Sequence, residues 1–236
     1  MSQTAVATAP PPPPPSRRPP RFLLTAGALA GPLFVGTFLV AGATRAHYNP
    51  LRHPVSSLEL GNHGWVQHAN FAVAGLLTLL LAAGLHRGLG RGRPSTRGPL
   101  LVGIWGLGLI AAGIFTTDPV SGYPAGTPGQ PPRATVHGAL HDGLSLVGFV
   151  ALVAACVVFA RWFARLGQRG WAAYSVATAI VFVIALVLAT VAFSQGNALT
   201  PIGGLIQRIM ATSAWLWLTL LALSEASGRG RLRVRR

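Results

Sequence analysis

Apolar residues in this chain fall in long runs separated by short polar stretches. Six runs reach or approach the roughly 20 residues that a helix needs to cross hydrocarbon: 22–43, 63–85, 99–115, 136–160, 172–193 and 203–223. None carries a charge at its middle, and their length fits helices better than strands. The pattern predicts an all-α polytopic membrane protein, a bundle of six transmembrane helices. The third run is short and glycine-rich (GIWGLGLIAAG), with Asp118-Pro119 as its stop signal. Pro32 lies inside the first run, where neighbouring helices can satisfy the carbonyl it frees. Gly27 and Gly31 form a GxxxG pair, and Gly103, Gly106, Gly108 and Ala112 line the third run. Small residues of this kind let backbones approach closely where no hydrophobic force draws helices together.

Charge orients the bundle. Only 10% of residues are charged, against about a quarter in a soluble domain, and every basic residue is arginine. Fifteen arginines fall on one side: 17, 18 and 21 before the first run, 87, 91, 93 and 97 between the second and third, 161, 165 and 169 between the fourth and fifth, and 229, 231, 233, 235 and 236 at the end. Four (Arg45, Arg52, Arg133, Arg208) fall on the other. The positive-inside rule then predicts a multi-pass protein of the cytoplasmic (plasma) membrane with both termini inside. Membrane lipids are the expected partners, with anionic lipids at the arginine clusters. The net charge of +15 does not point to nucleic acid, because it is dispersed in short clusters between apolar runs. Residues 1–21, with their polyproline stretch, are expected to be a disordered tail, 22–224 the transmembrane domain and 225–236 a basic tail. Arg17-Arg18 suggests a twin-arginine export signal, but the following run is longer than a signal h-region, so a retained anchor is expected. Cys156 lies alone inside an apolar run and forms no internal disulfide. Nothing in the pattern sets an oligomeric state.

Six of seven histidines and three of four acids lie at or near the outer ends of the runs, beside the two long outer loops. In the first outer stretch Ser56 and Glu59 stand three apart after Pro54, the spacing of a capping box on a short interfacial helix; chemistry at either residue is the competing reading. Asn62 is a plausible N-cap for the second helix. On that helix His63, Gln67 and Asn70 share one face, and His68 points about 100° away from it. Polar groups at this depth turn toward the bundle, either to hydrogen-bond between helices or to bind a ligand. In the second outer stretch His137 and His141 are four apart on one helical face, with Ser145 a turn further in. Two histidines at that spacing can supply two metal ligands, or serve as wetted interface residues. Asp142 is turned about 100° from His141, which makes Asp118 the better-placed carboxylate. Arg208, near the start of the sixth helix, is expected either to snorkel or to pair with Asp118, Glu59 or a ligand's anion.

The segments HPVSSLELGNHGWVQHANFAVAGLL, GIFTTDPVSGYP and HGALHDGLS resemble a family of six-pass bacterial and archaeal membrane proteins known as domain of unknown function 998, over most of the chain. The matching residues are Ser56, Gly61, Gln67, Asn70, Thr117-Asp118-Pro119 and His137. The resemblance implies the fold and a membrane location and carries no activity. Looser is a similarity to the alkaline-ceramidase type of membrane hydrolase, which uses a serine, an aspartate and three histidines around zinc but spans the membrane seven times.

Two functions therefore stand open. One is a bundle without a cofactor, a scaffold or sensor whose outward polar pocket at helices two to four binds a lipid head group or small solute through Glu59, His63, Gln67, Asn70 and Arg208. The other is a zinc-dependent hydrolase of a lipid amide or ester. There His137, His141 and His68 or His63 would hold the metal and Asp118 would act as base, with Ser56 as a further catalytic candidate.

Overall fold

Helices form where the apolar runs lie. The computed structural model describes residues 21–88, 96–131 and 133–227, in which six long helices run Arg21–Thr44 (α1), Gly64–Gly88 (α2), Arg97–Ile114 (α3), Val136–Arg165 (α4), Arg169–Phe193 (α5) and Gly203–Ala226 (α6). All six are long and apolar enough to cross a membrane. The tail before residue 21, the basic tail after 227 and arginines 91 and 93 lie outside the described residues. Most boundaries fall within a few residues of the expected ones; α4 runs five residues further, through Arg161 to Arg165.

Each helix packs on its neighbours in the chain, and α1 closes the ring against α6. One end of the bundle, the termini end, carries Arg21, Arg87, Arg97, Arg161, Arg165 and Arg169, all exposed. The other, the loop end, carries the connections 45–63, 115–135 and 194–202.

The ring explains how glycine is used. Gly27 faces α2, where a Cβ would stand 2.4 Å from the Leu81 Cβ, whereas Gly31 faces α6, where a Cβ would meet Thr219 Oγ1 at 2.4 Å. The GxxxG pair thus serves two different neighbours, one on each flank of α1. Between α2 and α3, an added Cβ on Gly75 would lie 2.7 Å from the Gly106 carbonyl oxygen, so the two backbones are in contact there. Around mid-bundle the rings of Phe34, Phe71, Trp105 and Trp215 form an aromatic belt, with Phe34 5.2 Å from Trp215 and Trp105 6.0 Å from Trp215.

Candidate functional site

Three arginines organise the loop end. Arg208 is buried and donates to the carbonyls of Pro50, His53 and Gly204 and, at 2.7 Å, to the Tyr48 hydroxyl, with its guanidinium over the Phe38 and Tyr48 rings. It neither snorkels nor pairs with Asp118 or Glu59: a buried cation needs several acceptors, and the turn at 48–53 supplies them. Burial pushes the Tyr48 phenol above its usual range despite the opposing charge of Arg208. Arg45 holds the Leu60 and His63 carbonyls at 2.9 Å each. Arg52 reaches Ser121 O at 3.0 Å and Gln195 Oε1 at 3.4 Å, tying all three loops together. His53 accepts the Asn49 N–H at Nδ1 between the Tyr48 and Tyr123 rings. Burial, reinforced by the Arg52 charge, lowers its pKa.

Behind this frame lies a buried acid. Ser56–Glu59 forms a 3-10 turn, but the expected capping box is absent and no side chain caps the turn. Glu59, 4% exposed, turns its Oε2 to the Thr117 N–H at 3.0 Å, beyond the end of α3. Two histidines flank it: His68 Nδ1 lies 3.7 Å from Oε1 and His141 Nδ1 3.5 Å from Oε2. Each Nδ1 also lies within hydrogen-bonding distance of a carbonyl where α3 ends, His68 at Gly113 O (3.0 Å) and His141 at Phe115 O (2.7 Å). A carbonyl only accepts, so in each of these contacts the Nδ1–H is the donor. Burial, only partly offset by the Thr117 N–H, raises the Glu59 pKa to about 8, so the carboxyl is neutral at pH 7.

Beside this cluster a cavity of about 590 Å³ opens between helices. Its deep wall is apolar and aromatic, with Phe34, Trp105, Phe149, Phe182 and Trp215; towards the loop end it is lined by Ser56, Asp118, His141, Asp142, Ser145 and Gln207. The 115–135 loop roofs it, held by Gln130 Nε2 donating to Phe193 O at 2.9 Å. Helices α4 and α5 meet at Phe149–Phe182 (5.5 Å) and Phe163–Trp171 (5.3 Å). Nearer the loop end, the lining residues Leu146 and Thr190 are exposed. Leu140, Leu144 and Val147 on α4 and Val187, Leu188 and Val191 on α5 are exposed as well.

The expected site residues are distributed as follows. Gln67 and Asn70 are buried and hydrogen-bonded to each other at 3.3 Å, and Asn70 also donates to Phe34 O at 3.2 Å, so they join α2 to α1 and do not line the cavity. His63 is exposed and precedes α2, whose first residue is Gly64 in place of the helix expected from Asn62. His68, the residue off the expected stripe, faces the buried acid instead. Asp118 is committed to helix α4: its oxygens accept the Thr135 N–H (2.9 Å) and hydroxyl (2.7 Å), and Thr135 in turn caps α4 by accepting from Gly138 N. The carboxylate close to His141 is Glu59, not Asp118. His137 is exposed with its ring on Phe115 at 5.7 Å. His137, His141 and His68 do not converge, and among the described residues no group of three or more His, Cys, Asp or Glu is arranged to hold a metal ion.

Sequence reasoning missed Trp105, whose buried indole N–H has no partner among the described residues, and Asp142. An acid nearly two turns inside a membrane helix was the available signal for the latter.

The family model described as Protein of unknown function (DUF998) matches residues 28–224. No curated protein and no solved structure matches the chain, so the ceramidase similarity gains no support by comparison.

Proposed function

We propose that this chain, which belongs to the DUF998 family of proteins of unknown function, binds a membrane lipid in the cavity between its helices and works as a lipid-binding scaffold or sensor, in a cytoplasmic membrane with its arginine-rich termini end inside. The observation that carries this reading is the cavity's lining: roofed by a loop, and graded from polar at the loop end to aromatic and aliphatic at depth. Its size lies in the roughly 300–1,000 Å³ range of ligand pockets. A water-soluble solute would need a path through the roof, whereas a lipid would enter between α4 and α5, where leucine and valine are exposed. The hydrocarbon chain then lies against Trp105, Phe149 and Trp215, and the head group lies near Ser56, Asp142 and Ser145.

The test is photo-crosslinking in nanodiscs with a phospholipid carrying a diazirine in its acyl chain. Labelling of interior positions on α3 and α6 (Trp105, Leu109, Met210), reduced in an Ala189→Trp variant that fills the cavity, is expected. Labelling confined to outward residues such as Ile184 and Val187 would sink the reading.

A further inference from the structure

The sign of the head group follows from the cavity's lining. Two carboxylates, Asp118 and Asp142, line the loop end of the cavity, and none of the described arginines does. Of the loop-end arginines, Arg45, Arg52 and Arg208 donate to loop carbonyls and side-chain oxygens, and Arg133 is exposed next to the lining residue Ala134 without itself lining the cavity. Asp118 already accepts two hydrogen bonds from Thr135. Asp142 accepts none, and the hydroxyls of Ser56 and Ser145 make no hydrogen bond among the described residues. His141 in its neutral form adds a further acceptor, because its Nδ1 proton is directed to Phe115 O and Nε2 is left with a lone pair. The mouth therefore presents acceptors and negative charge. A carboxylate nearly two turns inside a membrane-spanning helix is costly without a partner, and no described residue donates a hydrogen bond to this one. Deeper in, the Trp105 indole N–H is buried without an acceptor, so the cavity also leaves one donor for an oxygen on the ligand.

Resting on the lipid-binding reading, we infer that the ligand is an amphiphile with an ammonium head group, held at Asp142 with Ser145 and His141 beside it, and that fatty acids and other anionic amphiphiles are rejected. An ammonium brings three N–H donors to three acceptors and neutralises the unpaired carboxylate. A phosphate or carboxylate head would meet like charge, with none of the described arginines lining the cavity to offset it.

The experiment uses the full chain in phosphatidylcholine nanodiscs near neutral pH with two matched probes, a long-chain amine and a long-chain fatty acid, each with a diazirine at the same position in the chain. Labelling of Trp105, Leu109 and Met210 should favour the amine by about tenfold, the effect of one charge-assisted contact. Asp142→Asn should bring the two probes to near parity, and Asp142→Lys should favour the acid. Residue 142 is exposed and makes no hydrogen bond, so both variants are expected to fold, which circular dichroism checks. Equal interior labelling by amine and acid in the wild type would overturn the charge selection while leaving a lipid cavity in place. An amine preference unchanged in Asp142→Lys would overturn the role of Asp142. Absence of interior labelling by either probe would remove the cavity reading and this inference together.

Discussion

Replacing Glu59 with glutamine keeps the side chain's shape and removes its titration. In the native fold the carboxyl is held neutral up to about pH 8, against an ordinary value of 4.5. The folded state thus binds one more proton than the unfolded state between those values, and stability falls as pH rises through that window. The contribution is fully present below about pH 4.5 and lost by the time pH has passed 8. Within the window the slope approaches 1.36 kcal/mol per pH unit. Two titratable side chains face Glu59, His68 from α2 and His141 from α4. Restricting the measurement to about pH 6.5–8.5, above the ordinary histidine value, limits their contribution. Over that interval the wild type should lose about 2 kcal/mol relative to Glu59→Gln, or about 4–8 °C in Tm for a chain of this size. The assay is thermal unfolding in detergent micelles, followed by intrinsic tryptophan fluorescence, for both proteins across the series. A wild type whose Tm falls no more steeply with pH than that of Glu59→Gln would refute the assignment of a buried, neutral acid at this position.

Other substitutions separate structural from functional roles. Arg208→Met leaves several loop carbonyls without their donor and should cost about 3 kcal/mol or more, read as a Tm drop of at least about 6 °C; a smaller loss would mean that the loop end holds together without it. Asp118→Ala should cost about 1–3 kcal/mol and speed amide hydrogen exchange at the start of α4, with α1 and α2 unchanged. Gly75→Ala drives a methyl to 2.6 Å from Ile110 Cγ1 and 2.7 Å from a carbonyl oxygen and should destabilise by about 1–3 kcal/mol. Gly36→Ala meets open space and should be neutral or stabilise by up to about 1 kcal/mol through helix propensity; equal thermal shifts for the two alanines would contradict the helix spacing described.

Hydropathy made the six helices legible because hydrocarbon imposes one rule on every residue of a span, whatever it packs against. Arg208 shows where that kind of reading ends. Its partners are backbone carbonyls of a distant turn, and carbonyls have no letter in the sequence. The Ser56–Glu59 spacing satisfies a local capping rule, yet the Glu59 carboxyl is taken by the Thr117 amide, 58 residues away. His68 was misplaced for a geometric reason. A helical stripe assumes one inward direction, but in a closed ring each helix has two flanks and an interior. Gln67 can face α1 while His68, about 100° round, faces α3. The cavity needed the fold, since its wall draws on all six helices.

The seam between α1 and α6 has a consequence for biogenesis. It joins the first of the six described helices to be made with the sixth, and Phe34 against Trp215 is one of its contacts. Until the sixth helix arrives, the chamber lacks a wall and its aromatic floor lies open to the surrounding acyl chains. A chain halted before α6 would therefore leave Phe34 and Trp105 facing lipid, with no Trp215 to cover them.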